Sequence, residues 1–319
     1  MIEYSRQILK EMFDGKVVSP VLPYTSLDSD RETAELVAKG NGRISLSGVQ
    51  PKYSMVVDDG QLRLTNDGEQ GHYILKPAPT AMFILDREYC PMNEYLTMQL
   101  ARQVYGIDTA PCCLCEFGNG QVAYLVRRFD IKADGTKYPQ EDFAQLAGLN
   151  KVNGGEDYKY DVLSYEDCGE LIRKHVKAAP VELLKFFRLV TFNYITLNDD
   201  AHLKNFSIME RQRGDYVLTP AYDLMNTILH LSMPSIFALK KGLFKEGMVI
   251  DDTHSVNRKS FVEFGCRLGL PQKLVERELN KMAQNYPLAQ ELIEGSLLSD
   301  EQKRSYLLSY NYRRFTISE

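Results

Sequence analysis

Residues 183–223 read LLKFFRLVTFNYITLNDDAHLKNFSIMERQRGDYVLTPAYD, and the fold turns on how this stretch is parsed. Leu183–Leu197 is a helix-like apolar run, with Leu184, Phe187, Tyr194 and Leu197 as its inward candidates. It breaks at Asn198-Asp199-Asp200, passes through Ala201-His202-Leu203-Lys204-Asn205, and enters a strand-like Phe206–Met209. A second strand, turning at Arg213-Gly214-Asp215, leads on to Tyr222-Asp223. Carboxylates and amides crowded between apolar segments are costly to desolvate unless a cation or ligand uses them. Four residues separate Asp200 from Asn205, and Asp223 follows Asn205 by 18. The first of these spacings is that between base and metal ligand in a kinase catalytic loop. Paired aspartates also serve as ordinary turn and capping residues, so the rest of the chain has to lend support.

Phosphoryl transfer defines what that support must be. A carboxylate has to orient or accept the hydroxyl proton, and Asp200 suits that role. Oxygen ligands have to hold Mg2+, which Asn205 and Asp223 can provide. Positive charge has to face the phosphates, from Lys76, Lys52 or Lys204. Asp199 is expected to be structural.

The phosphate side is sought upstream. Residues 40–57 read GNGRISLSGVQPKYSMVV, a glycine- and serine-rich turn followed by a strand-like Tyr53–Val57. Such a loop can aim several backbone N–H groups at a phosphate without side-chain obstruction. It is neither a Walker A loop nor a Rossmann fingerprint, and an ordinary hairpin turn has the same composition. The next strand, His72–Lys76, ends on a lysine before Pro77 and Pro79. Lys76 is either an edge charge that discourages strand pairing or the phosphate-facing strand lysine of a kinase. A helix is predicted over Pro91–Val104, in which Glu94 suits the N-terminal dipole as well as a pairing with Lys76.

Elsewhere the chain reads as scaffold. Phe13-Asp14-Gly15-Lys16 is a turn, Pro20 and Pro23 mark an extended stretch, and Glu32–Lys39 is a short helix. Cys112–Phe129 is a hairpin turning at Gly118-Asn119-Gly120. Its Cys112-Cys113-Leu114-Cys115 run lacks the second ligand pair of a zinc site and reads as small apolar strand residues. Beyond Pro139 the pattern is mostly helical, with helices expected over Cys168–Val176, Val181–Leu197, Ser260–Leu268, Gln272–Met282 and Glu301–Tyr312. A sheet-rich first lobe and a helical second lobe make an α+β protein with a cleft between them.

The bulk numbers agree with a folded enzyme. Among 319 residues, 44% are hydrophobic and 25% charged, which excludes a disordered chain. A net charge of -5 gives no global pull toward nucleic acid, and Lys240, Lys241 and Lys245 read as solvated surface. Lys185, Arg188 and Asn193 interrupt the most apolar run, so no membrane span is expected. No secretory pattern precedes Tyr4, and a reducing cytoplasm is the default location.

Seven segments together carry a resemblance: RISLSGVQPK (43–52), HYILKPA (72–78), NEYLTMQLA (93–101), RRFD (127–130), PQEDF (139–143), NDDAHLKNFSI (198–208) and LTPAYDLM (218–225). In this order they resemble the HipA family of bacterial serine/threonine kinases, the toxins of toxin–antitoxin modules. The resemblance implies a protein-kinase-like two-lobed fold, with a sheet-rich N-lobe over residues 1–130 and an all-helical C-lobe over 131–319. ATP and Mg2+ would lie between the lobes. By motif, Asp200 is the catalytic aspartate, and Asn205 and Asp223 are the metal ligands. Lys76 meets the phosphates, and Ser47, Gly48, Val49, Gln50 and Lys52 form the phosphate loop. Arg127, Arg128 and Phe129 form the hinge by the adenine, and His202, Lys204 and Tyr222 complete the nucleotide site. Family members switch themselves off by autophosphorylating a serine of this loop, here Ser45 or Ser47.

The resemblance also implies partners: a HipB-like helix-turn-helix antitoxin, DNA contacted mainly through it, and a protein substrate of the aminoacyl-tRNA synthetase kind. Two departures matter. Full-length HipA proteins carry an extra N-terminal subdomain before the phosphate loop, so this chain resembles the short HipT-like form, whose missing subdomain is a separate small protein. Arg127 stands where the best-known members have glutamate, so contacts to adenine there fall to the backbone. Three other readings remain open: a catalytically silent scaffold in a regulatory complex, a small-molecule kinase, and a metal-dependent phosphohydrolase using Asp199, Asp200, His202 and Asp223.

A phosphoserine adds roughly -1.5 to -2 charge where the γ-phosphate of ATP should lie. Ser45→Asp or Ser47→Asp is therefore expected to weaken ATP binding in calorimetric titration. Unchanged affinity in both variants would contradict this.

Overall fold

Alternating side chains build a five-stranded antiparallel sheet in the first half of the chain. A computed structural model describes residues 2–25, 50–211, 214–249 and 255–319. Helix α1 (Arg6–Phe13) is followed by β1 (Tyr53–Asp58), β2 (Gln61–Leu64) and β3 (Tyr73–Lys76). Helix α2 (Cys90–Gln99) then leads to β4 (Cys112–Glu116) and β5 (Val122–Arg127). The spatial order is β2-β1-β3-β5-β4, so β3 is the central strand and carries Lys76 opposite Tyr124.

The strand period of two divides the sheet into two buried faces. Met55, Leu75, Cys113, Cys115 and Leu125 pack with Met12 and Phe13 on the α1 side. Cys112, Leu114, Tyr124 and Val126 face the other way and join the main core with Leu96 and Leu100. The three β4 cysteines thus serve as small apolar side chains on both faces, as expected from the sequence.

Ser5 caps α1 by accepting from the Ile8 amide, and the expected turn ends it at Asp14, whose φ is 54°. The helix itself was not anticipated in that mixed stretch. Pro91 sits in the first turn of α2, which continues as a wider π-type turn over Leu100–Val104. The helix expected over Glu32–Lys39 lies outside the described residues, as do Ser45, Ser47, Gly48 and Val49.

The second half begins with β6 (Gln140–Asp142) and the short helices α3 (Phe143–Leu146), α4 (Lys151–Gly154) and α5 (Tyr158–Asp161). Longer helices follow, α6 (Tyr165–His175) and α7 (Ala179–Ile195), then strands β7 (Ser207–Glu210) and β8 (Tyr216–Leu218). Helices α8 (Arg258–Arg267), α9 (Gln272–Met282), α10 (Pro287–Glu294) and α11 (Asp300–Thr316) complete the chain. All but α10 of these four were expected, with small shifts at their ends.

The second lobe is helix-rich rather than all-helical, which corrects that expectation. Strands β6, β7 and β8 form a three-stranded antiparallel sheet, with Asp142 opposite Ser207 and Ile208 opposite Leu218. A segment leaving a buried loop must satisfy its backbone, and β7 does so on both edges.

Helix α7 is the axis of this half. It packs against α6, α9, α11 and β8. Leu183, Phe186, Phe187, Val190 and Phe192 are buried, so the helix is covered around most of its girth. Phe186 meets Phe206 edge-on at 5.3 Å between centroids, and Phe206 stacks on Phe143 at 5.8 Å. Of the expected inward residues, Phe187, Tyr194 and Leu197 are buried and Leu184 is half-buried. This aromatic packing anchors the loop that begins at Asn198.

Candidate active site

Lys76 lies at the end of the central strand with its ammonium buried between two carboxylates. Its Nζ donates to Glu94 Oε1 at 2.6 Å and also to Asp223 Oδ1. Glu94 comes from α2 and Asp223 from the segment after β8, so three distant parts of the chain meet at one charge. The dipole reading of Glu94 gives way to the pairing. Burial alone would push the Lys76 ammonium down, but Asp223 and then Glu94 outweigh it and raise its pKa above the usual lysine value. Glu94 is pushed up by burial, with Lys76 pulling against that shift. Its second oxygen, Oε2, is buried with no hydrogen-bond partner.

The loop after α7 is held by amides. Leu197 and Asp223 both adopt left-handed backbone conformations, with φ of 52° and 55°. Thr227 ties Leu197 to Asp199 by donating its hydroxyl to the Leu197 carbonyl at 2.7 Å and accepting from the Asp199 amide at 3.0 Å. Asn198 Nδ2 donates to the Asp223 carbonyl at 3.4 Å, and Asn198 Oδ1 accepts from the Asp200 amide at 3.3 Å. Asn93 of α2 binds both backbone groups of Asn226, donating to its carbonyl at 2.8 Å and accepting from its amide at 3.1 Å. Strain at the two left-handed residues is therefore balanced by a hydrogen-bonded frame.

Asp200 and Asn205 are both buried within this frame. Asn205 Nδ2 donates to the Asp200 carbonyl at 2.9 Å, which leaves the amide oxygen as the end suited to a cation. That oxygen and the Asp223 carboxylate are hard donors of the kind Mg2+ takes. Asp199, expected to be structural, accepts from the Ser235 amide at 2.8 Å through Oδ2. Gln50, Lys76, Glu94, Asn198, Asp200 and Asp223 line a common hollow. Gln50 is anchored there by donating to the Pro77 carbonyl at 3.0 Å. Lys52 is exposed, yet the protein crowding its ammonium lowers its pKa by desolvation, and it feels Asp223, Lys76, Glu94 and Asp200.

The other expected nucleotide residues are more scattered. Lys204 pairs with Asp142 at 3.0 Å, which gives the PQEDF motif a role beside the loop. Tyr222 donates to the Lys204 carbonyl at 2.9 Å, and its ring lies 5.8 Å from that of Phe129. Arg128 binds Asp130 through Nε at 2.9 Å. Arg127 forks onto Asp14 at 2.8 and 2.9 Å, on the α1 side of the sheet. Its side chain is committed there, so only its backbone remains for a nucleotide.

His202 is buried and edge-on to Tyr160 at 5.0 Å, with Nε2 4.0 Å from Asp200 Oδ1. Burial first, and then the nearby Lys159 charge, lowers its pKa to about 3, so the ring is neutral. The four residues of the phosphohydrolase reading do not form one ligand set. Among the described residues, no three His, Cys, Asp or Glu groups are arranged to hold a metal. Sequence reasoning missed Tyr160, Asn198 and Thr227, whose roles depend on tertiary partners.

Replacing Lys76 with methionine would leave Glu94 buried without its cation. Removing one partner of a buried pair costs about 3–5 kcal/mol, and Lys76→Met is expected to lose that much in urea unfolding. Adding Glu94→Gln should recover part of the loss. Equal stabilities for wild type and Lys76→Met would show that the pair does not hold the lobes.

The family model described as HipA-like C-terminal domain matches residues 44–289. The serine/threonine-protein kinase toxin HipA of Shewanella oneidensis is 26% identical over 295 residues, or 85% of this chain and 62% of that protein. Y4mE of Sinorhizobium fredii is 34% identical over 220 residues, covering 66% of this chain and 49% of that protein. The chain therefore spans about half the length of that relative. Among solved structures, Shewanella oneidensis HipA in complex with HipB and its operator DNA gives a TM-score of 0.65 at 23% identity, over 93% of this chain and 72% of that one. The Helicobacter pylori proinflammatory kinase CtkA gives 0.52 at 15% identity, over 83% of this chain and 90% of that one. Both likenesses establish an α+β kinase-like fold. The family match takes in Lys76, Asp200, Asn205 and Asp223 alike, and the chain belongs to the HipA family through its HipA-like C-terminal domain.

Proposed function

We propose that this chain transfers the γ-phosphoryl group of ATP to serine or threonine hydroxyls of a protein, as the toxin of a toxin–antitoxin pair. The observation that carries the reading is the meeting of Lys76, Glu94 and Asp223 beside the Asp200–Asn205 loop. Little covalent work falls to the protein in such a reaction, and positioning and charge do most of it. Asp200 receives or orients the proton of the acceptor hydroxyl. Lys76, kept charged by its two carboxylates, faces the phosphates together with Lys52. Asn205 and Asp223 are the residues that would hold Mg2+, which supplies further positive charge against the phosphates when bound. Ser47, Gly48, Val49, Gln50 and Lys52 serve as the phosphate loop, and Ser45 or Ser47 is the site of self-phosphorylation. His202, Lys204 and Tyr222 wall the nucleotide, with the Arg127–Phe129 backbone at the adenine.

The likeness to Shewanella HipA, whose solved complex contains HipB and operator DNA, supports a HipB-like antitoxin as partner and contact with DNA mainly through it. In keeping with that, Lys240 pairs with Asp161 and Lys245 with Glu170, as solvated surface lysines do. The protein substrate belongs, on this reading, to the aminoacyl-tRNA synthetase class. Among the described residues, no helix is long and apolar enough to cross a membrane.

The test is incubation with γ-labelled ATP and Mg2+, with and without a degenerate Ser/Thr peptide mixture, followed by mass spectrometry of residues 43–52. Wild type should label itself at Ser45 or Ser47. Asp200→Ala should lose label by about 100-fold or more, the scale of a general base. The Ser45→Ala/Ser47→Ala variant should lose self-labelling while still labelling peptide. No transfer from wild type would favour the scaffold reading.

A further inference from the structure

We propose that Tyr160 is a positioning residue of this site, its hydroxyl fixing the orientation in which Asp200 meets the acceptor hydroxyl. The inference rests on the phosphoryl-transfer reading above. Tyr160 lies in α5, 40 residues before Asp200, in a part of the chain to which no motif assigns chemistry. Its side chain is fully buried, and its Oη donates to Asp200 Oδ1 at 2.7 Å.

The backbone of Asp200 is already held on both sides, its amide by Asn198 at 3.3 Å and its carbonyl by Asn205 at 2.9 Å. Those contacts fix where the residue is. They do not fix the rotation of its carboxylate, because the terminal torsion of an aspartate is broad and roughly two-fold. The Tyr160 hydroxyl aimed at Oδ1 restricts that torsion, and so sets the angle at which the carboxylate is presented to the acceptor. Tyr160 is well placed for this because it cannot swing away. Its ring is edge-on to His202 at 5.0 Å, Lys159 Nζ lies 5.1 Å over the ring, and its carbonyl accepts from the Lys240 amide at 2.9 Å. Helix α5 also packs against the Leu203–Asn205 turn. A phenol is moreover a neutral donor, which orients the carboxylate without forming an ion pair with it.

The consequence is kinetic. Small errors in the placement of a reacting group can cost about 100-fold in rate. In the 319-residue chain, with Mg–ATP and a degenerate Ser/Thr peptide mixture as the probe, Tyr160→Phe should lower kcat by about 10- to 100-fold. The KM for ATP should stay at the wild-type value, because Lys76 and the Gln50–Lys52 segment serve the phosphates. Replacing Tyr160 with p-aminophenylalanine, which keeps the ring and restores a donor, should recover most of kcat. In the Asp200→Asn background, Tyr160→Phe should change the residual rate far less than it does in wild type. An unchanged kcat, an equal proportional loss in both backgrounds, a changed KM alone, or failure of Tyr160→Phe to fold would each overturn the inference. A wild-type chain that transfers no phosphate would instead overturn the functional reading, and this inference with it.

Discussion

The buried Lys76 ammonium is the charge on which the structure depends. It stands at the end of the central strand of one sheet and meets Glu94 from α2 and Asp223 from the chain beyond β8. A cation this deep is tolerable only because two carboxylates face it, and each of those is tolerable only because of the lysine. The three residues therefore fix the first lobe, its helix and the second lobe relative to one another. A buried pair of this kind adds less net stability than its short distances suggest, since desolvation offsets most of the attraction. What it adds is a defined place for positive charge at the base of a cleft.

Around that charge the site is built mostly from neutral amides and hydroxyls. Asn93 grips Asn226, Asn198 bridges Asp200 and Asp223, Asn205 holds the Asp200 carbonyl, and Thr227 closes on Leu197. Neutral groups can satisfy buried backbone without adding charge that would compete with a phosphate. Two left-handed residues, Leu197 and Asp223, are held within the same net, so some backbone strain is placed where the chemistry is expected. The aromatic packing of Phe143, Phe186 and Phe206 behind the loop gives this frame a rigid backing.

Much of this was legible in the residues, and the limits have physical causes. Asp200, Asn205 and Lys76 could be singled out because a local loop spacing and a strand end are properties of short segments. Asp223 came with them once a hairpin was read between it and Asn205. Glu94 could not be decided, because a carboxylate on a helix suits the dipole and a tertiary partner equally well, and only the fold brings Lys76 to it. Tyr160 carried no signal at all, since its hydrogen bond to Asp200 is made across 40 residues. The three-residue strand β6 escaped notice for the same reason: it is a strand only because β7 lies beside it. Arg127 was placed correctly at the end of β5, but its side chain turns to Asp14 rather than toward the cleft.

On the proposed function, Lys76, Asn205 and Asp223 form one site for a nucleotide and its metal. Ligand that binds only the folded chain must raise its melting temperature. The decisive measurement is thermal unfolding of wild type and Asp223→Asn with ATP, with Mg2+, and with both. ATP and Mg2+ together should raise the wild-type midpoint by more than the sum of either alone, and Asp223→Asn should lose this excess. No shift in wild type, or the same excess in the variant, would contradict it.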